Sequence, residues 1–144
     1  MIAKEYLWRV RDAERDLKRL EQEYEQAKAD ILHLKAIQYD ADKVTGGKIG
    51  DLSDAIAAVE GYMERLNAQW DKLIALRKEA KVLIDRIADG RYREVLTRRY
   101  LQGQSLEEIA VDLRYSYRQV NRIHGCALRE IQKDVLSCPI RSVI

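Results

Sequence analysis

The sequence predicts an all-α fold, in which a long antiparallel coiled-coil helical hairpin is followed by a smaller helical domain. Three observations carry this prediction. The chain of 144 residues contains one proline, Pro139, and no phenylalanine, and its composition favours helix at nearly every position. Apolar residues in the first two thirds of the chain recur at alternating steps of three and four. Near the C-terminal end, two serines each precede a run with helical spacing.

The first long helix is predicted from the N-terminus to about residue 40. Its apolar or small residues keep a heptad pattern for more than four repeats, which is typical of a coiled-coil seam. The members of this seam are Ala3, Tyr6, Val10, Ala13, Leu17, Leu20, Tyr24, Ala27, Ile31 and Leu34.

A second long helix is predicted up to residue 89. Its seam positions are Leu52, Ile56, Val59, Met63, Leu66, Trp70, Leu73, Arg77, Ala80, Ile84 and Ile87. Glycines and polar residues end the helical pattern at about 40–51, where Asp51 or Ser53 provides an N-cap, and Gly90 suits the residue after the C-cap. Each helix is expected to hold about 37 residues over roughly 55 Å. The short loop favours antiparallel pairing, which makes residues 1–89 a hairpin domain.

Further apolar residues flank both seams and widen the apolar stripe beyond a two-helix contact. They are Leu7, Leu32, Ile37, Tyr62, Leu76 and Leu83. Because a two-helix seam buries little apolar surface, these positions indicate an additional partner. Either the C-terminal domain folds back, or a second copy completes a four-helix bundle; we favour a homodimer. A solitary coiled-coil spacer is the alternative.

A helix-turn-helix pattern is predicted in the C-terminal domain, residues 90–136, which precedes a tail of residues 137–144. After a helical segment that ends near residue 101, Ser105 opens a capping box with Glu108 and starts a short helix. A three-residue turn follows, and Ser116 then caps a longer helix that extends to residue 131. The expected core positions of the two helices are Leu106, Ile109, Ala110, Leu113, Val120, Ile123, Ala127, Leu128 and Ile131.

The C-terminal domain also carries the basic excess of the chain. Residues 1–89 hold 16 Lys and Arg against 18 Asp and Glu, whereas residues 90–144 hold 10 against 6. An anionic partner such as nucleic acid is therefore expected at the C-terminal end. The longer helix begins with residue types that bind base edges and phosphates, namely Ser116, Tyr117, Arg118, Gln119, Asn121 and Arg122. Because recognition helices contact bases through their first turns, we expect these side chains to bind double-stranded DNA.

The segment RYREVLTRRYLQGQSLEEIAVDLRYSYRQVNRIHGCALREI, residues 91–131, resembles region 4 of bacterial sigma-70-type factors. The recurring frame of that family is REVL..RY..G.(S/T)LEEIA..L..S...V..I...AL..L. The complete chain, with its DKVTGGKIGD loop between two long helices and its YSYRQVNRIHG.AL ending, is similar to small proteins of phages and prophages of Gram-positive bacteria, related to the RinA and ArpU types of late-gene regulator. The resemblance implies a transcriptional regulator whose helix 116–131 lies in the major groove of DNA. The hairpin would then serve self-association or contact with RNA polymerase.

Two positions depart from the sigma-70 frame. The turn residue that is usually glycine is Arg114, for which a left-handed conformation costs roughly 1–2 kcal/mol, so a differently shaped turn is an alternative. Arg118 and Gln119 replace a Glu-Arg pair, so a sigma-like promoter sequence is not implied as the target.

Two residues further along the same helix raise separate expectations. His124 is expected either to contact DNA or to be partly buried and hydrogen-bonded. Gly125 indicates close packing against a neighbour, because glycine destabilises a helix interior by about 1 kcal/mol relative to alanine.

Other classes of function find less support in the sequence. No nucleophile with a base, no pair of carboxylates and no metal-ligand cluster stands out, so neither an enzyme nor a cofactor is expected. No apolar run reaches the roughly 20 residues needed to span a bilayer, and the charged N-terminus does not resemble a signal peptide, which predicts a cytoplasmic protein. The resemblance to phage proteins implies that the cell is a bacterial host. Cys126 and Cys138 are expected to be reduced and without function. A small terminase-like DNA-packaging protein and a coiled-coil adaptor stay open as alternatives.

Overall fold

The computed structural model describes residues 2–40 and 48–137. Within these ranges the chain is helical and contains no strand, which confirms the all-α prediction. The helices are α1 (Ala3–Asp40), α2 (Lys48–Asp85), α3 (Gly90–Leu96), α4 (Leu106–Leu113) and α5 (Tyr117–Ser137), and a π-helical turn (Thr97–Leu101) follows α3 directly. The tip of the predicted interhelical loop and the tail with Cys138 and Pro139 lie outside the described residues. In the described part of the chain, no helix combines the length and apolarity needed to cross a membrane.

The start of α2 differs from the prediction. The helix begins at Lys48, so Asp51 and Ser53 lie inside it and the N-cap predicted at one of them is wrong. Asp and Ser are both common near a helix start, either as the N-cap residue or within the first turns. Sequence alone therefore does not distinguish the two placements.

The end of α2 also differs from the prediction. The helix ends at Asp85, and Gly90 is the first residue of α3 instead of the residue that follows the C-cap of α2. Asp89 caps α3, since its carboxylate accepts the N–H of Arg91 at 2.9 Å. This cap satisfies a backbone donor that the new helix start would otherwise leave unpaired.

The described residues form two compact units. The first unit contains residues 2–13 and 73–137, and the second contains residues 14–40 and 48–72. The start of α1 and the end of α2 thus pack together with α3, α4 and α5. The residues on both sides of position 89 belong to the first unit. The predicted boundary between two domains at this position stays a prediction.

Every helix contributes buried apolar side chains to the first unit. Its fully buried side chains include Leu7 and Val10 of α1, and Leu73 and Ile84 of α2. The remaining buried members are Ala3, Ala13, Ala80, Ile87, Val95, Leu96, Tyr100, Ile109, Ala110, Val120, Ile123, Ala127 and Ile131. Leu7, which the heptad pattern places beside the seam, is completely buried, so the wider stripe at the start of α1 is covered within the chain itself.

Polar contacts also attach the start of α1 to the first unit. Glu79 of α2 accepts hydrogen bonds from Tyr6 Oη and Arg9 Nη2, each at 3.2 Å. The backbone N–H of Ala3 donates to Oε1 of Gln132 on α5. The Arg9 and Glu79 side chains are partly exposed, so their ion pair contributes on the order of 0–1 kcal/mol, and apolar burial holds the segment.

The second unit buries much less apolar surface. Leu17 and Ala27 of α1 are its buried apolar side chains, and Tyr24 Oη lies 3.5 Å from the sulfur of Met63. Three predicted seam residues of α2 are exposed: Ile56 by 41%, Met63 by 50% and Trp70 by 41%. They are spaced seven residues apart, so they form one apolar stripe along α2.

The segment between the π-helical turn and α4 reverses the chain. The N–H of Gln102 donates to the carbonyl of Thr97, and the N–H of Gln104 donates to the carbonyl of Arg98. Gly103 has a φ of +78°, and a Cβ there would overlap the guanidinium of Arg11. The left-handed backbone therefore favours glycine at this position, whereas the flexible end of the Arg11 side chain can move aside for a Cβ.

The connection between α4 and α5 follows the predicted capping. The N–H of Glu108 donates to Ser105 Oγ and the N–H of Gln119 donates to Ser116 Oγ, both at 3.1 Å. Arg114 adopts the left-handed conformation, with φ 59° and ψ 38°, so the alternative of a differently shaped turn is wrong. Its N–H caps the end of α4, which satisfies carbonyl groups that the helix end leaves open.

Replacing Arg114 with glycine is expected to raise the free energy of unfolding by about 1 kcal/mol, since the left-handed backbone no longer opposes a Cβ. The matched control is Arg129→Gly within α5, which is expected to lower the same quantity by about 1 kcal/mol. Urea unfolding followed by circular dichroism measures both changes. A loss of stability for Arg114→Gly would show that the Arg114 side chain stabilises the turn more than its backbone strains it.

Candidate nucleic-acid interface

The six side chains expected to bind DNA lie together at the start of α5. All six are exposed: Ser116, Tyr117, Arg118, Gln119, Asn121 and Arg122. Behind them, Val120 is completely buried and Ile123 is 5% exposed. These two residues pack with Val95, Ile109 and Ala110 in one cluster that joins α3, α4 and α5. The start of α5 therefore presents polar and cationic groups outward from a well-packed support.

The outward face of α5 continues beyond these six residues. With 3.6 residues per turn, positions separated by four, seven and eleven residues lie on one side of a helix. Arg118, Arg122 and Arg129 have this spacing, and they lie opposite the buried side chains of Val120 and Ala127. We call these three residues the arginine stripe.

Ion pairing distinguishes the arginines of this surface from others in the same unit. Arg98 binds Glu94 at 2.7 Å and Asp112 at 3.3 Å. By contrast, among the residues that the structure describes, Arg114 and the three members of the arginine stripe form no ion pair. A cation without an internal carboxylate partner is available to an external anion.

Arg114 and Arg129 are two further exposed arginines of the first unit, and the sequence analysis did not assign either of them to DNA binding. Arg114 keeps a side chain at a left-handed position where glycine is less costly, and backbone strain of this kind often accompanies a functional site. Arg129 has a signal in the sequence, since it follows Arg122 by seven residues on the same helix face. The predicted set ended two turns too early to include it.

The position of α5 is held by a cluster around Tyr100. The Tyr100 hydroxyl and His124 Nε2 are joined by a hydrogen bond of 2.8 Å. The Tyr100 ring contacts Trp8 of α1 edge to face, with 6.0 Å between ring centroids and 82° between ring planes. The guanidinium of Arg99 lies 5.1 Å from the centroid of the Trp8 ring. Of the two interpretations of His124, the structure supports the partly buried, hydrogen-bonded histidine.

Burial keeps His124 neutral over a wide range of pH. Desolvation, followed by the positive charges of Arg99 and Lys4, lowers the pKa of His124 from 6.5 to about 4. Burial also raises the pKa of Tyr100 to about 12, so its hydroxyl stays protonated at neutral pH. The hydrogen bond between them therefore joins two uncharged groups under physiological conditions.

The lowered pKa of His124 predicts a loss of stability in mild acid. Between pH 6.5 and about 4 the unfolded chain binds a proton at His124 that the folded chain does not, so stability falls as pH decreases through this window. Thermal unfolding measured from pH 7 to pH 4.5 is expected to show a steeper fall in Tm for the native protein than for His124→Gln. Parallel pH profiles would contradict this assignment. Hydrogen bonding to Arg91 lowers the pKa of Asp89, so this carboxyl also makes stability fall at low pH, but it does so equally in the native protein and in His124→Gln.

The remaining features and comparisons assign no other function. Among the described residues, no group of three His, Cys, Asp or Glu side chains is placed to hold a metal ion. Cys126 is a partly buried free thiol. Comparisons with models of protein families, with curated proteins and with solved structures find no match to this chain. The functional argument therefore depends on the geometry of the first unit.

Proposed function

We propose that this protein is a sequence-specific DNA-binding transcriptional regulator of phage or prophage type, with α5 as the recognition helix in the major groove. One observation carries the proposal: the start of α5 exposes arginines without ion-pair partners, together with amide and hydroxyl side chains, directly opposite a fully buried core. Because the buried face fixes α5 against the core, the polar groups on its exposed face have fixed positions, which base recognition requires.

The arrangement of α4 and α5 supports a helix-turn-helix. The three residues 114–116 separate the helices, and Ala110 packs with Val120 where they meet. The Ser116 cap defines the first residue of α5, and the side chains at this end of the helix are exposed. Free backbone N–H groups at such an end attract phosphate.

Each exposed side chain has a role in this proposal that follows from its chemistry. Arg118 and Arg122 donate two hydrogen bonds each, which suits guanine in the major groove or a phosphate. Gln119 and Asn121 have the donor and acceptor pair that matches adenine. Tyr117 is positioned by its place in the first turn to contact the DNA backbone.

The experiment that tests the proposal is selection of bound sequences from random duplex DNA by the intact protein, followed by affinity measurements at several salt concentrations. We expect an enriched sequence motif. We also expect log K to fall linearly with log salt, with a slope of about −0.9 for each phosphate neutralised. Absence of binding to any duplex at low salt would refute the proposal.

The two long helices supply the second part of the proposal, an antiparallel coiled-coil hairpin for self-association. Within each unit α1 and α2 contact each other, which supports their pairing: Tyr6 and Arg9 donate to Glu79 in the first unit, and Tyr24 contacts Met63 in the second. The exposed stripe of Ile56, Met63 and Trp70 has the heptad spacing through which a further helix packs.

Light scattering distinguishes the roles that this hairpin can serve. A dimer is the expected result, since a regulator with two recognition helices binds two half-sites. A larger ring of subunits would favour the DNA-packaging alternative. A monomer that binds the selected DNA would mean that the apolar stripe of α2 is available for contact with RNA polymerase.

A further inference from the structure

Gly125 lies within the arginine stripe of α5. It follows Arg122 by three residues and precedes Arg129 by four, so it faces outward together with them. Glycine in a helix interior is less stable than alanine, because it loses more backbone freedom on folding. A glycine at this place therefore requires a physical reason.

Neither the backbone nor the packing of the described chain provides that reason. The backbone of Gly125 is helical and does not enter the left-handed region, in contrast to Gly103. A Cβ built at Gly125 meets no atom within 4 Å. The sequence-based inference that Gly125 packs closely against a neighbour is thus wrong for the described residues, and the space in front of it is open.

The charges around Gly125 indicate which partner fills this space. Arg122 and Arg129 flank it, Arg118 lies two turns earlier, and none of these arginines forms an ion pair within the described residues. A second apolar helix packed against Gly125 would leave these cations without partners and partly desolvated, which is unfavourable. A polyanion satisfies them.

The distance along α5 indicates which part of a duplex reaches Gly125. It lies eight residues after Tyr117, which corresponds to about 12 Å of helix at 1.5 Å per residue. The major groove is also about 12 Å wide. When the first turn of α5 contacts bases, a residue at this distance therefore lies near the rim of the groove, where phosphates line the duplex.

We propose that Gly125 is the point of closest approach between α5 and the DNA sugar-phosphate backbone, with Arg122 and Arg129 binding the phosphates on either side. This inference rests on the proposed DNA binding and assigns a second contact surface to it. The absence of a Cβ allows the nucleic acid backbone to approach the helix more closely than any other residue type permits.

The test is Gly125→Ala, with Gly61→Ala of α2 as the matched control. A Cβ at Gly61 meets the Arg65 side chain at an ordinary 3.8 Å, so alanine fits at both positions. Both variants are expected to raise the urea midpoint. Gly125→Ala is expected to weaken binding to the selected duplex at least tenfold, and Gly61→Ala is expected to leave it unchanged.

The outcomes separate this inference from the proposed function. If Arg118→Ala weakens binding while Gly125→Ala does not, the close approach at Gly125 is refuted and DNA binding stands. If the native protein binds no duplex, both proposals fail. If Gly125→Ala changes the oligomeric state in light scattering but retains DNA affinity, a protein partner packs against Gly125 and the inference is overturned. If Gly125→Ala lowers the urea midpoint, the space in front of Gly125 is not open and the inference is also overturned.

Discussion

Replacing Tyr100 with alanine is expected to lower the free energy of unfolding by about 3–5 kcal/mol, the range for removing a buried aromatic ring. Tyr100 is completely buried, and its ring contacts Trp8 while its hydroxyl bonds to His124. The substitution thus removes the contact that connects the start of α1 to α5 and leaves a polar ring nitrogen without its partner. Urea unfolding followed by circular dichroism measures the loss.

Two further variants serve as controls. One separates the contribution of the Tyr100 ring to stability from that of its hydroxyl, and the other measures the effect of removing an exposed tyrosine. Tyr100→Phe retains the ring and is expected to cost about 1–3 kcal/mol, because His124 Nε2 stays partly buried without a hydrogen bond. Tyr117→Ala removes a tyrosine that is 47% exposed and is expected to change stability by less than about 0.5 kcal/mol. A loss below 1 kcal/mol for Tyr100→Ala would mean that the packing of α1 on this cluster does not contribute to stability as the burial indicates.

The second large effect concerns DNA affinity. Arg118→Ala and Arg122→Ala are each expected to weaken binding to the selected duplex by about 1–3 kcal/mol. Both side chains are exposed and unpaired within the described residues, so the free energy of unfolding is expected to stay within about 0.5 kcal/mol of the native value. Fluorescence anisotropy at one fixed salt concentration measures the affinities.

Arg65→Ala is the matched control for these variants, because it removes the same charge from α2 in the second unit, where Arg65 stacks on Tyr62. It is expected to leave affinity nearly unchanged. A variant that loses a phosphate contact also shows a smaller salt slope, whereas one that loses a base contact shows relaxed preference at one position of the motif. If all three variants bind equally well, α5 is not the recognition helix.

Some of the structure follows from local sequence alone. The absence of proline before residue 139 and the helix-favouring composition predict helices, because they act residue by residue. Ser105 and Ser116 are confirmed as caps, since a cap bond spans only three residues. The exposure of the six residues at the start of α5 was also predictable, because an amphipathic helix places its apolar residues on one side.

Other features depend on contacts that are distant in the sequence. No local pattern shows that Leu7 and Val10 are buried in the same unit as Ile131, or that Trp8 contacts Tyr100. The heptad pattern is continuous through α1, so it does not indicate where packing changes from one unit to the other. For the same reason the heptad pattern does not predict that Ile56, Met63 and Trp70 are exposed, since buried and exposed residues of the seam have the same spacing.

The sequence by itself determined that this chain is helical, where α4 and α5 begin, and which side of α5 carries cationic and amide groups, because these properties depend on neighbours within about one helical turn. Only the tertiary structure decided that residues 2–13 contribute to the core of the same unit as α5, that Arg114 is left-handed, and that Gly125 faces open space. Those features depend on which residues remote in the chain come together. That pairing is set by the burial of apolar surface across the whole unit, which no single segment specifies.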